Sequence, residues 1–147
     1  ALPNGEVPST PAMSHYVTTP MLEIKGLEEL SAALRHQGFE VEVHAEAVTL
    51  YDWHGWPRPE RAHVVIRRQH TGSASSNDVG FLRGADGRVQ AIISDYDSAK
   101  FGAAWQRALV KECGVQRAIL RAARMGHRAV RTTDAKGRPR LEIVGRF

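Results

Sequence analysis

The order of two apolar periodicities constrains the fold of this chain more than any other feature. The stretch GLEELSAALRHQGFE (26–40) spaces its leucines as a helix does, and a second helical pattern starts near Ser98. Between them, several stretches alternate apolar and polar residues, which is typical of strands with one solvated face. Parallel neighbours need a crossover at each connection, so a meandering run of strands excludes an all-parallel sheet. The sequence predicts an α+β domain of order β-α-β(several)-α-β-β, a mostly antiparallel sheet with both helices packed on one face.

Most connections in this order are marked by turn residues. Asp86 and Gly87 form the dipeptide that best tolerates positive φ in a tight hairpin, and DAKGRP (134–139) joins a closing hairpin. The stretch FEVEV (39–43) is predicted to be a strand, with AVTLY (47–51) pairing beside it. The predicted strands lie within residues 14–24, 39–43, 47–51, 61–69, 79–97, which hold two, 127–133 and 140–147.

The second helix is predicted to be long. Ser98 is placed to cap its start, Gly114 to kink it and Gly126 to end it. Its approximate apolar face comprises Phe101, Trp105, Leu109, Val115, Ile119 and Ala123.

Two segments have compositions that oppose a packed structure. Residues 1–12 hold three prolines and show no period, which predicts a flexible N-terminal extension. The remaining residues, 13–147, are the size of one domain. Within them, HTGSASSND (70–78) has no large apolar side chain and is rich in serine and glycine, so it is interpreted as a mobile loop.

Composition bounds the environment of the chain. With 42% apolar and 24% charged residues among 147, it has the composition of a globular domain. Its apolar runs are too short to span a bilayer, so no membrane partner is expected. The start of the sequence has no signal-peptide pattern, and the single Cys113 fits a reducing compartment, which together predict a cytoplasmic location.

A series of weak motifs resembles a known family. In order they are MSHYVTT, LEELSAALRHQGFEVEV, AHVVIR, DVGFLRGADGRVQAIISDYD and DAKGRPRLEIVGRF, which together extend over about residues 13–147. This order resembles the uncharacterised family of cyanobacteria, plastids and other bacteria known as hypothetical chloroplast reading frame thirty-five, or domain of unknown function twelve-fifty-seven. The resemblance implies no catalytic residues, and it implies association with an ATPase of the AAA type, hence an accessory or adaptor role.

Catalytic and metal-binding constellations are not recognisable in the sequence. Cys113 and His127 lie around the end of one helix, which disfavours their close approach, and Cys113 is expected to be half-buried. The seven histidines show no zinc spacing, although Asp52, His54 and His63 would converge if the intervening loop folded back. Asp95 and Asp97 could serve acid/base work, but aspartates also commonly mark a helix start. No phosphate-binding loop is present, and no cofactor or metal is expected.

Positive charge concentrates in the C-terminal half. Residues 1–73 carry six lysines and arginines against nine acids, and residues 74–147 carry fourteen against seven. Much of this charge falls on or just after the second helix, at residues called here the basic stripe: Lys100, Arg107, Lys111, Arg117, Arg121, Arg124 and Arg128. Such a stripe could follow a phosphate backbone, or it could be the ordinary polar face of an amphipathic helix.

The segment DWHGWPRPE (52–60), called here the tryptophan loop, contains the other candidate residues. Pro57 and Pro59 deny it ladder donors, which predicts an exposed connection between strands. One tryptophan is expected to cover the sheet, and an exposed one would anchor a protein partner or stack on a base. The predicted partner-binding residues are Trp53, His54, Trp56 and Arg58.

These observations favour a non-enzymatic interaction or adaptor domain in a cytoplasmic assembly, and the resemblance implies that this domain is accessory to an AAA-type ATPase. The alternative is a nucleic-acid-binding module that uses the basic C-terminal helix and hairpin. An enzyme is a third alternative and lacks a recognisable constellation.

Overall fold

The computed structural model describes residues 15–146, and these form seven strands and two α-helices. The predicted extension of residues 1–12 and the start of the domain at residue 13 lie outside the described residues, as does Phe147. The elements are β1 (Tyr16–Pro20), α1 (Leu27–His36), β2 (Glu42–Tyr51), β3 (Pro57–Ile66), β4 (Val79–Arg83), β5 (Val89–Ser94), α2 (Ala103–Arg124), β6 (His127–Thr133) and β7 (Pro139–Arg146). The predicted α+β class is confirmed.

The described strands form two antiparallel sheets. Five strands pair in the order β1-β5-β4-β3-β2, and β6 pairs with β7 in a separate hairpin that packs against α2. The β4–β5 turn holds Gly87 at a φ of 81°, as the Asp-Gly dipeptide predicts. The mostly antiparallel arrangement is therefore confirmed.

Both helices pack against the same face of the five-stranded sheet, as predicted. Their buried side chains join those of the sheet in one core, whose helical members are Leu30, Ala33, Leu34, Leu109 and Cys113 and whose strand members include Val64, Ile66, Val79, Phe81, Val89, Ala91 and Ile93. Apolar burial of this extent is the main stabilising contribution to the fold.

The opposite face of the sheet carries a second, smaller buried cluster. Arg58 of β3 lies over the ring of Tyr16 in β1, although β4 and β5 separate the two strands in the sheet. On this face, a β-carbon on Gly80 would come within 2.6 Å of the Ala62 β-carbon, so only glycine fits there. The buried apolar residues on this face are Leu50, Ala62, Val65 and Ile92.

Two predictions about β2 and β3 were wrong. The predicted pair 39–43 and 47–51 is one strand, β2, and an irregular register between Val43 and Val48 explains the break in the apolar pattern. β3 begins at Pro57 rather than after the prolines. Both prolines are tolerated because β4 pairs with β3 only from Val64 onward, so the first half of β3 has one free edge.

The start of α2 was also predicted wrongly. Ser98 donates its hydroxyl to the Asp95 carbonyl at 2.6 Å instead of capping a helix. The chain therefore forms a short 3₁₀ turn at Asp97–Ala99, and α2 begins after an extended Gly102. α2 continues through Gly114, and the kink predicted there stays a prediction. Gly126 follows the helix with a φ of 80°, as predicted.

The apolar face of α2 differs from the prediction in its second half. Ala122 is buried and Ala123 is exposed, whereas Val115 and Ile119 are half-buried. The reason is that α2 contacts α1 on one side and β6 on another, so two neighbouring sides carry apolar residues. A single predicted face could not represent both.

None of the helices in the described residues combines the length and apolarity that crossing a membrane requires.

Candidate interaction surfaces

The tryptophan loop begins with a tight turn between β2 and β3. The Asp52 amide donates to the Trp56 carbonyl at 2.9 Å, and Gly55 occupies the turn with a φ of 83°. The Asp52 side chain is buried, and its Oδ1 accepts the amides of His54 at 2.9 Å and Trp56 at 3.0 Å. This carboxylate therefore closes the turn from inside, as aspartate does in an Asx turn.

Three aromatic rings stack on the outside of this turn. The ring centroids of Trp53 and His54 are 3.6 Å apart, and those of His54 and Trp56 are 4.4 Å apart with nearly parallel planes. Trp53 is 39% exposed and Trp56 is 55% exposed. Neither tryptophan belongs to the apolar clusters of the core, contrary to the expectation that one would cover the sheet. Exposed rings in one patch are typical of interaction sites.

A buried polar segment, residues 76–78, lies directly beneath the turn. Asn77 accepts the Trp53 amide on its side-chain oxygen at 3.0 Å. Asp78 exchanges hydrogen bonds with Tyr51: its Oδ2 accepts the Tyr51 amide at 2.8 Å, and its own amide donates to the Tyr51 carbonyl at 3.0 Å. The backbone on the β2 side of the turn is thus fixed by side chains from a distant part of the chain.

The interpretation of residues 70–78 as a mobile loop was wrong for this segment. Ser76, Asn77 and Asp78 are each exposed by 1%, and Thr71 is fully buried. Hydrogen bonds rather than apolar contacts satisfy them, so apolar periodicity gives no signal for their burial. A string of short hydrogen-bonding side chains directly before a buried strand is the only sequence feature that marks them.

Asp97 anchors the polar segment from the other side. Its Oδ1 accepts the Ser76 hydroxyl at 2.7 Å, and its Oδ2 accepts the Ser94 hydroxyl at 2.7 Å and the Asn77 amide at 3.0 Å. Asp97 is 4% exposed, and no cation of the described residues pairs with it. Because neutral donors occupy both oxygens, this carboxylate serves to position the segment. Asp95, by contrast, is exposed and binds only nearby amides, so the two aspartates do not form a carboxylate pair.

Two arginines after β3 lie beside the turn and have different roles. Arg67 forms a two-pronged contact with Glu42, 2.9 Å for each, and reaches Asp78 at 2.8 Å. The hydrogen bond from Arg67 lowers the pKa of Glu42 from 4.5 to about 2. Arg68 donates its amide to Asp78 at 2.7 Å and its guanidinium to the Trp53 carbonyl at 3.4 Å. In the described part of the chain Arg68 has no acidic partner, so it supplies the free positive charge next to the rings.

A small cleft of about 230 Å³ opens between the turn and these arginines. It is lined by Tyr51, Gly55, Arg67, Arg68, Gln69 and Asp78. Small-molecule sites commonly measure about 300–1,000 Å³, so this cleft suits one side chain of a partner rather than a cofactor.

The structure groups three of the four predicted partner-binding residues. Trp53, His54 and Trp56 form the ring stack, whereas Arg58 lies over Tyr16 with its guanidinium 3.9 Å from Glu60. Arg58 therefore contacts Tyr16 and Glu60 and is not grouped with the ring stack. The cation that stands beside the stack is Arg68, which sequence reasoning missed because only the turn brings it there.

The basic stripe divides into paired and unpaired cations. Arg117 contacts Glu29 at 2.6 Å and Arg124 contacts Glu28 at 2.7 Å, both across to α1. Lys100 precedes the helix and donates to the Thr71 carbonyl. The four that are exposed and form no ion pair with the described residues are Arg107, Lys111, Arg121 and Arg128.

The catalytic and metal candidates are not assembled. Cys113 is fully buried rather than half-buried, and burial raises the pKa of its thiol to about 12. The His63 ring accepts the Arg83 amide at 3.0 Å, while His54 lies 3.7 Å from Asp52. Among residues 15–146, no three potential metal ligands are grouped closely enough to hold an ion.

Comparison of the chain with family models, curated proteins and solved structures finds no match. The resemblance to the chloroplast reading-frame family therefore stays a prediction that rests on the quoted motifs.

Proposed function

We propose that this chain is a non-enzymatic interaction domain that binds a protein partner through the tryptophan loop and acts as an adaptor in a cytoplasmic assembly. The observation that carries the proposal is the exposed stack of Trp53, His54 and Trp56, fixed from below by buried Asp52 and Asn77. A protein that needed only to cover its core would bury these rings.

The support beneath the stack favours binding because it lowers the entropy cost of association. Immobilising a flexible side chain at an interface costs about 0.5–1.5 kcal/mol, and a turn that is already fixed avoids much of that cost. Tryptophan and arginine also dominate the energetics of desolvated interfaces. The stack and Arg68 therefore combine the residue types and the rigidity that a protein-binding surface requires.

The local charge indicates the kind of partner segment. Glu42 and Asp78 both pair with Arg67, whereas Arg68, at the mouth of the cleft, has no acidic side-chain partner among the described residues. We expect a partner segment that places an apolar or aromatic side chain on the rings and a carboxylate near Arg68. An AAA-type ATPase, which the resemblance implies, stays the specific candidate.

Nucleic-acid binding is the second candidate. The favouring observation is the exposed, unpaired state of Arg107, Lys111, Arg121 and Arg128 in the described structure, together with rings able to stack on bases. Binding of this kind would weaken linearly on a double-logarithmic plot against salt concentration.

Affinity capture from a native lysate, with and without nuclease, tests the proposal. Intact protein is compared with Trp53→Ala/Trp56→Ala and with Met125→Ala/Ile143→Ala, which removes exposed apolar side chains elsewhere. We expect one defined polypeptide that resists nuclease and is lost only with the tryptophan variant. Capture that nuclease abolishes would support the nucleic-acid alternative, and capture that both variants retain would refute a role for the loop.

A further inference from the structure

The outer edge of β1 carries hydrogen-bonding groups that no other strand of the described residues uses. The Met21 amide donates to the Val89 carbonyl, and the His15 carbonyl accepts the Asp95 amide, so these residues face β5. Because donors and acceptors alternate along a strand, Tyr16 and Thr18 direct their amides and carbonyls away from β5. No strand in the described residues pairs with that edge.

The two edges of the five-stranded sheet differ in how they resist strand pairing. β2 is interrupted by the irregular register between Val43 and Val48 and carries charged Glu42 and Glu46. β1 keeps a regular register from Tyr16 to Pro20 and carries no charged side chain. Bulges, charges and prolines are the usual protection of an edge. In β1 only Pro20, at the end of the strand, provides such protection, so residues 16–19 are left open to an added strand in the described structure.

A groove runs beside β1 on the side where α2 packs. Two clefts of about 480 and 350 Å³ share Ala103 and Gln106 of α2 and so continue into one another. We call this the edge groove. Along β1 it is lined by Val17, Thr19 and Met21. A strand added to β1 would direct alternate side chains into it.

The wider end of the edge groove has an excess of positive charge. Arg107 and Lys111 line it one helical turn apart, both are exposed, and neither has an acidic partner within 4.0 Å in the described structure. Glu23 lines the same end, which leaves one net positive charge there. Asp95 lines the opposite end.

We propose that the edge groove binds an extended acidic peptide segment of a partner protein, which adds to the sheet as a sixth strand beside β1. The backbone groups of Tyr16 and Thr18 hydrogen-bond to the peptide backbone, and Arg107 and Lys111 donate hydrogen bonds to its carboxylates. An extended peptide satisfies the outward amides and carbonyls in a regular pattern, which a nucleic acid does not do. This surface is separate from the tryptophan loop.

Selection from a library of random ten-residue peptides on the immobilised full chain tests the proposal. We expect enriched peptides with acidic residues two positions apart, which place them on one face of a strand. An enriched peptide is then synthesised, and its affinity is measured by fluorescence anisotropy. Binding should protect the Tyr16 and Thr18 amides from hydrogen exchange.

Two protein variants and one modified peptide test the charged contact and the backbone contact separately. Arg107→Glu/Lys111→Glu should weaken binding at least tenfold, whereas Lys136→Glu/Arg140→Glu, with the same charge change on the C-terminal hairpin, should not. Thr18→Pro removes an outward amide, as Pro20 already does two residues later, and should weaken binding about tenfold. N-methylation of alternate peptide amides should do the same without altering the protein.

Several outcomes would overturn the proposal. These are a library that yields no enriched peptide, enriched peptides without acids, equal affinity of the N-methylated peptide, and single-stranded DNA that binds the same cations while peptides do not. Self-association that Thr18→Pro abolishes would instead identify a second copy as the occupant. Trp53→Ala/Trp56→Ala should retain peptide binding, so failure of the tryptophan-loop proposal is distinguishable.

Discussion

The tryptophan loop and the basic stripe both have the composition of a binding surface, but their side chains differ in how the rest of the protein holds them. The rings of Trp53, His54 and Trp56 stay exposed while buried Asp52 and Asn77 fix their backbone. In the basic stripe, by contrast, Arg117 and Arg124 form ion pairs with α1, and Lys100 donates to the Thr71 carbonyl.

This difference indicates that buried hydrogen bonds which fix the backbone of an exposed side chain are better evidence of a binding surface than residue type alone. Exposed arginines on an amphipathic helix need no support, because water solvates them. Exposed indoles in a fixed stack lose favourable burial, and buried polar groups must be satisfied to hold them. We expect the loss of this support to have effects that decrease from the polar segment beneath the tryptophan loop to the ion pairs at the surface.

The largest effect is expected for Asp97→Ala. This change leaves the buried donors of Ser76, Ser94 and Asn77 without their acceptor, which should cost on the order of 4 kcal/mol of unfolding free energy. Urea unfolding measures it. Exposed Asp95→Ala is the matched control, with a loss below about 1 kcal/mol. Equal losses for the two variants would mean that the polar segment does not depend on Asp97.

Asp52→Ala should have an intermediate effect on stability and a large one on the loop. Two amide hydrogen bonds disappear, at about 1 kcal/mol each, and the ring stack should lose its fixed arrangement. Near-ultraviolet circular dichroism reports the stack. A spectrum and partner capture identical to those of the intact protein would contradict the proposed support.

Within the basic stripe, Arg117→Ala and Arg107→Ala should differ in their effect on the free energy of unfolding. Arg117→Ala leaves the buried Glu29 carboxylate without its partner, and because Arg117 itself is 43% exposed we expect a loss of about 1 kcal/mol. Arg107→Ala removes an unpaired exposed cation and should change stability by less than about 0.5 kcal/mol. Thermal unfolding distinguishes them. Equal losses would show that the ion pairs across to α1 do not stabilise the fold.

The smallest effect concerns acid and the Glu42–Arg67 pair. The folded pKa of Glu42 is about 2 and its ordinary value is 4.5, so the unfolded chain binds more protons in this range and stability rises with pH. The contribution is complete above about pH 5 and is lost as pH falls towards 2. Because Glu42 is 42% exposed, the contribution of the ion pair to the free energy of unfolding should be below about 1 kcal/mol.

Glu42→Gln provides the control for this titration. Urea midpoints of the intact protein and the variant should converge as pH falls through this range. A gap that is independent of pH would mean that the carboxylate is not held in its charged form by Arg67.

The fold could be predicted where local pattern and tertiary packing agree. Leu30 and Leu34 of α1 are spaced as the core requires, and Asp86-Gly87 needs only its own turn. The α+β class followed from the order of such elements. The start of α2 could not be predicted, because Ser98 bonds back to Asp95 and that choice depends on how the chain leaves β5.

The aromatic rings of the candidate site could be predicted from the sequence, but the buried polar segment beneath them could not. Trp53 and Trp56 are conspicuous in the sequence, whereas Asn77 and Asp78 lie in a string of small polar residues that is typical of a loop. Their burial depends on partners about twenty or more residues away, such as Asp97 and Tyr51. Apolar periodicity does not depend on such hydrogen bonds, so it could not predict that these residues are buried.

The most direct test of the account is nitrogen-15 relaxation of the backbone amides of residues 52–56 in the intact protein and in Asp52→Ala. We expect order parameters near the rigid-backbone value of about 0.85 in the intact protein and below about 0.6 in the variant. Low values in the intact protein, or values that Asp52→Ala leaves unchanged, would contradict the claim that buried polar groups hold the ring stack ready for a partner.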